Sequence, residues 1–159
     1  MAGRAADRAI GNDPVRVFWE SAMNEDGNSG RDVKTSIAPM LSVRNGPKAV
    51  EFYLAAFGAE IIFRLDNEGT VVARLAVEGA EFWVADESPE HLNFSPETLS
   101  GGTVRMVMIV ENPDAAFDRA VKVGAKVVVP MRDEYGWRLG RVVDPYGHHW
   151  EIGKPDKVE

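Results

Sequence analysis

Between Ser36 and Pro155 the apolar positions switch between a helical period and a strand period, and they do so twice in the same order. Ile37–Val43 (IAPMLSV) is an apolar run of strand length. Asn45 then offers a cap, Pro47 suits the first turn of a helix, and Ala49, Val50, Tyr53, Leu54 and Phe57 recur at helical spacing up to Gly58, a natural stop. Glu60–Leu65, Val71–Val77 and Glu81–Ala85 follow as three strands, and the turns Asn67–Glu68–Gly69 and Glu78–Gly79 are short enough to make them antiparallel. Val104–Val110 (VRMVMIV) restarts the series. Asn112 caps a second helix ahead of Pro113, Ala116, Phe117, Ala120 and Val121 form its apolar face, and Gly124 ends it. Lys126–Val129, Leu139–Val143 and His149–Ile152 are the strands that complete the unit. Gly58–Ala59 and Gly124–Ala125 lie 66 residues apart at equivalent points, so the chain carries an internal duplication of a βαβββ unit.

This divides the chain into a polar leader or arm (1–35), a first module (36–88), a bridge (89–102), a second module (103–155) and a tail (156–159). The leader is rich in Gly, Asn and Asp and reads either as a flexible extension or as an arm whose Val17, Phe18 and Trp19 dock on the domain or on a second subunit. Each module has one helix, enough to cover one face of its sheet. The opposite faces must meet each other, a ligand or a partner chain. The expected class is α+β, two tandem βαβββ modules forming a curled mixed sheet.

Composition narrows the chemistry. Among 159 residues there are 18 Lys and Arg against 25 Asp and Glu, a net charge of −7, which argues against a nucleic-acid partner. The chain has no cysteine, which rules out disulfides, thiolate metal sites and cysteine nucleophiles. Apolar runs are far shorter than the roughly 20 residues of a membrane helix, and the N-terminal residues lack the apolar core of a signal peptide. The expectation is a cytoplasmic protein with no membrane partner. No nucleophile-elbow, phosphate-loop or dinucleotide glycine motif occurs in a suitable context.

KAVEFYLAAFGAE (Lys48–Glu60) and DPYGHHWEIG (Asp144–Gly153), at this spacing, resemble the PhnB-like branch of the vicinal-oxygen-chelate superfamily, the glyoxalase, bleomycin-resistance and dioxygenase group. IAPMLSV, the stretch from Gly101 to Pro130, and YGWRLGRVVDPYG add to the resemblance, which covers about Ser36–Pro155. It implies two modules paired around a funnel, and a homodimer. In metalloenzymes of this group a divalent ion at the funnel floor acts as a Lewis acid; other members carry no metal and bind a drug.

The resemblance takes metal ligands from the first and last strands of each module. Those positions fall on Ala38, Trp83, Arg105 and Glu151, a set with one donor in four, whereas a stable site needs three. The expectation is therefore no metal cofactor, with Glu151 pairing with Arg105. A relocated site using His149 and Glu151 is the alternative. Arg132–Gly140 reads as a turn-rich segment in which Tyr135, Trp137 and Arg138 form either a lid over the funnel or an ordinary packed loop. The expected ligand contacts are Trp83, Arg105, Tyr135, Trp137, Arg138, His149 and Glu151. Phe63, Phe82 and Trp83 fit a core as well, and His148 fits a turn that it hydrogen-bonds. The leading reading is a small-molecule binding protein without the standard metal, and the acidic net charge favours a cationic drug. The rivals are a divalent-metal lyase, isomerase or dioxygenase with Glu151 as ligand or catalytic base, and a ligand-free dimeric scaffold.

Overall fold

A computed structural model describes residues 35–156. The leader up to residue 34, with Val17, Phe18 and Trp19, and the tail from residue 157 lie outside the described residues.

The duplicated pattern becomes two four-stranded halves of one topology. The first runs in the order β1 (Met40–Val43), β4 (Ala80–Asp86), β3 (Thr70–Val77), β2 (Glu60–Asn67). The second runs β5 (Arg105–Ile109), β8 (His149–Pro155), β7 (Trp137–Val143), β6 (Lys126–Glu134). In each half the first strand lies parallel to the last, and the hairpin partners are antiparallel. This is the expected α+β architecture of two βαβββ modules.

Helices α1 (Gly46–Phe57) and α2 (Pro113–Lys122) begin as their sequence directs. The Asn45 side chain accepts a hydrogen bond from the Lys48 amide at 3.1 Å, and Asn112 accepts one from Ala115 at 3.1 Å. Gly58 closes α1 in the left-handed region at φ 64°.

Several strand boundaries differ from expectation, most of them by one to three residues. β1 begins at Met40 rather than Ile37, because Pro39 has no N–H to extend the ladder, and Ile37 is 98% exposed. β6 and β7 run through the segment that reads as a turn-rich lid, joined at Tyr135 (φ 54°) and Gly136 (φ 76°). Pro130 and two register shifts between Val127 and Arg132 break the alternation that otherwise marks β6 as one strand. The bridge also folds, with a 3-10 turn at Pro89–His91 and a short helix at Pro96–Leu99.

α1 packs on β1, β3 and β4, α2 packs on β6, β7 and β8, and the helices touch each other, so both modules share one core. Trp150 of β8 reaches into the first module, with ring centroids 4.6 Å from Phe57, 5.5 Å from Tyr53 and 5.4 Å from Phe82. Asp144, almost fully buried, ties the same junction. One oxygen accepts from Tyr53 Oη (2.6 Å) and Trp150 Nε1 (2.9 Å), the other from the amides of Tyr146 and His148 (both 2.9 Å). Burial, with the neighbouring carboxylate second, raises the Tyr53 pKa well above its ordinary value.

Candidate functional site

Because the helix-bearing sides of the two sheets share a core, their other sides face outward. Strand register places the residues of each outward face in rows. Across the first sheet, Met40, Trp83, Arg74 and Phe63 are aligned. Across the second, Val107, Glu151, Arg141 and Val129 occupy the equivalent positions. The adjacent row of the second sheet is Arg105, His149, Val143 and Lys126. Arg74 and Arg141 are therefore counterparts in the repeat, each beside the centre of the last strand of its module.

On the first face the Arg74 guanidinium lies 5.4 Å from the Trp83 ring centroid and 3.8 Å from Glu81. Phe63 stands edge-on to Trp83, with centroids 6.2 Å apart. Phe82 points the other way and is core, while Phe63 and Trp83 belong to the outward face.

On the second face Arg105 Nη1 and Glu151 Oε2 are 3.6 Å apart, the pairing expected from the sequence. Glu151 is the more sheltered of the two, with 30% of its side chain exposed against 57% for Arg105. Arg132 pairs with Glu134 farther along the face. Arg141 Nε and His149 Nδ1 are both buried and have no hydrogen-bond partner. The apolar parts of the face are open: Val107 is 66% exposed and Ile109 59%.

The structure gathers Arg105, Trp137, His149 and Glu151 on the second face and places Trp83 on the first. It does not bring all the expected residues together. Arg138 alternates onto the helix side, where Nε and Nη2 hold the two Asp114 oxygens at 3.1 and 2.5 Å. That guanidinium holds the Asp114 carboxyl below its ordinary pKa. Tyr135 sits at the tip of the β6–β7 hairpin, 90% exposed. The lid is thus a regular hairpin, and only Trp137 of its three expected contacts faces outward from the sheet. His148 does not stabilise its turn through the ring. Asp144 does that work, while His148 Nε2 lies 2.9 Å from the Ser42 carbonyl across the module junction.

Arg74 and Arg141 were not legible as site residues. The signal was present in β7, where Trp137, Leu139, Arg141 and Val143 alternate with helix-side residues, so a charge at Arg141 had to face away from the core. A cleft of about 310 Å³ also runs between β5 and the β3–β4 turn, lined by Val77, Glu81, Phe82, Met106, Val107 and Val110.

Comparison with known proteins agrees with this architecture. Residues 36–152 match the family model of the glyoxalase/bleomycin resistance protein/dioxygenase superfamily. An uncharacterized protein of Mycobacterium bovis is 34% identical over 130 residues, which span 78% of this chain and 86% of that protein. Among solved structures, TioX from Micromonospora sp. ML1 is 27% identical with a TM-score of 0.59, over 76% of this chain and 99% of TioX. A gene product of Arabidopsis thaliana is 29% identical with a TM-score of 0.59, over 75% of this chain and 98% of its own. On the extent of the family match, and on the paired modules that carry it, this chain belongs to the glyoxalase/bleomycin resistance protein/dioxygenase superfamily.

Proposed function

We propose that the chain is a small-molecule binding protein of the PhnB-like branch of this superfamily, working without the standard metal and as a homodimer. The observation that carries the reading is the outward face of the second sheet, where Arg105, Glu151, His149 and Arg141 converge among exposed apolar side chains. A single chain turns its two faces apart, so neither is enclosed. Pairing the first face of one copy with the second face of another closes a pocket between Trp83, Arg74 and Phe63 on one side and Glu151, Arg141 and His149 on the other. The charges are complementary. The first face carries Arg74 against Glu60 and Glu81; the second carries Arg105, Lys126, Arg132 and Arg141 against Glu134 and Glu151. Trp137 belongs to the rim. Among the described residues no helix is long and apolar enough to cross a membrane.

The donor set does not fit the standard metal. Ala38 and Trp83 offer no ligand atom, Arg105 brings a cation to the position, and Glu151 is the one donor left. Among the described residues no three His, Cys, Asp or Glu side chains come together. A second reading, a divalent-metal lyase, isomerase or dioxygenase, draws on His149 and Glu151 sharing one face, with Glu151 as ligand or proton-transfer base.

Metal content of protein purified without chelators, with a thermal-shift series in Zn²⁺, Ni²⁺, Mn²⁺ and Fe²⁺, separates the two. Near-stoichiometric metal, or a shift abolished in Glu151→Ala, selects the metalloenzyme. Sedimentation analysis tests the pairing, and a monomer at working concentration overturns the shared pocket.

A further inference from the structure

Arg141 poses a problem that the proposed function does not resolve. A buried donor without an acceptor is destabilising, and folded proteins rarely tolerate one. Yet Arg141 Nε is buried without a hydrogen-bond partner, and no ion pair forms to its guanidinium among the described residues. His149 Nδ1, one register step away on the neighbouring strand and on the same face, is in the same condition; Arg74 Nε on the first face also lacks an acceptor, but there the guanidinium lies over Trp83 and 3.8 Å from Glu81. The acids of this face are already engaged, Glu151 with Arg105 and Glu134 with Arg132. Four cations against two carboxylates leave the face with an excess of two positive charges in a chain whose net charge is −7. The local field is opposite to the global one, and what the site meets is the local one.

We propose that the ligand of this face is an oxyanion, a carboxylate or a phosphoryl or phosphonyl group joined to an apolar body, held by Arg141 and His149. The guanidinium presents two parallel N–H donors that match two oxygens of such a group, a geometry that an ammonium cannot supply. His149 adds a third contact from the adjacent strand. Val107, Val129 and Val143, all on the same face, seat the apolar body. This rests on the reading of the outward face as a small-molecule site and specifies its chemistry. It reverses the cationic preference that net charge alone suggests.

The test is calorimetric titration of the full chain, at low ionic strength, with phenylphosphonate, benzoate, neutral benzamide and cationic benzamidine. The expected result is binding of one or both anions, with benzamide and benzamidine weaker by about tenfold or more. Which anion binds tells phosphonate from carboxylate, and either supports the proposal. Arg141→Gln should weaken the anion by about tenfold to a hundredfold and leave benzamide unchanged, while Arg141→Lys restores part of the loss. A second readout needs no folded variant: in wild-type protein the Arg141 Nε–H nuclear magnetic resonance signal should move on adding the bound anion. Equal or tighter binding of benzamide or benzamidine overturns the oxyanion assignment and leaves the pocket standing. So does anion binding that neither shifts the Arg141 signal nor responds to Arg141→Gln. If neither these probes nor a diverse set of neutral fragments binds, the pocket reading fails with it.

Discussion

Replacing Asp144 by Asn tests whether the module junction is held by one carboxylate. The change keeps size and shape but leaves one acceptor oxygen where there were two. Asp144 accepts four hydrogen bonds, two on each oxygen: Tyr53 and Trp150 side chains on one, the Tyr146 and His148 amides on the other. Whichever way the Asn amide turns, its NH₂ faces two donors. Hydrogen bonds to a charged acceptor contribute about 1.5–3 kcal/mol each, so losing two predicts a destabilisation of about 3–6 kcal/mol. For a folded region of this size that is roughly 10–20 °C in Tm, a large share of the usual 5–15 kcal/mol of stability. Tyr53→Phe removes one of the four bonds and should lose half as much or less. The assay is urea unfolding followed by tryptophan fluorescence, with the slope checked for constancy. A loss below about 1 kcal/mol in Asp144→Asn would refute the idea that this carboxylate holds the junction. Equal losses in the two variants would show that Tyr53 supplies the whole effect and that the other donors contribute nothing.

Tyr53 also makes a pH prediction. Its folded pKa lies above the ordinary 10.0, so the unfolded chain ionises first; the stabilisation is complete below pH 10.0 and is lost as pH rises through and above it. Stability should fall on the alkaline side in wild type and fall less steeply in Tyr53→Phe, and identical slopes would show that another group governs the loss. Gly140→Ala places a Cβ 2.7 Å from Met131 Sδ, 2.9 Å from Phe117 Cε2 and 3.1 Å from the Met131 amide nitrogen. Met131 can swing away, but the ring and the backbone give less, and a loss of about 1–3 kcal/mol in urea unfolding is expected; a stabilised variant would contradict that packing. Arg138→Met breaks the Asp114 pair on the helix side, which is partly exposed and screened by solvent, so urea unfolding should show little loss of stability. Ligand affinity on the outward face should be unchanged in Arg138→Met, and a marked drop by calorimetry would place Arg138 in the site after all.

The order of elements, both helix caps and the duplication were legible because local chemistry determines them. Asn45 and Asn112 cap, Gly58 stops a helix, and tight turns force antiparallel neighbours whatever the rest of the chain does. The Arg105–Glu151 pair was legible because the resemblance placed both on adjacent strands. What was not legible depended on contacts distant in sequence. The β6–β7 hairpin hid behind Pro130 and two bulges, which destroy a period-two pattern without ending the strand. Arg138 fell before the expected start of β7 at Leu139, so its side of the sheet could be read only once the strand was seen to begin at Trp137; Asp114, 24 positions earlier on a different element, then answers its charge. The packing of the modules through their helices turned on Trp150 crossing into the first module, and nothing in the HWEIG string announces that reach.

The duplication explains where chemistry was free to change. Helix-side positions in both modules, such as Leu75, Val84, Val142 and Ile152, are fully buried in one shared core, where any change of volume disturbs both halves. Outward positions have no such neighbour. There the equivalent rows have diverged, Trp83 against Glu151 and Phe63 against Val129, while an arginine stands at the third place in each. The Arg74 guanidinium lies over Trp83 and beside Glu81 of its own module, although its Nε is buried without a hydrogen-bond partner as that of Arg141 is; Arg141 has neither a ring nor a carboxylate of this kind among the described residues. The same residue at the same register position thus has its charge answered by a ring and a carboxylate in one module and by neither in the other. Arg74→Gln should therefore lower stability more than Arg141→Gln does, and Arg141→Gln should weaken oxyanion binding more, a crossed pattern that a purely structural role for both arginines does not produce.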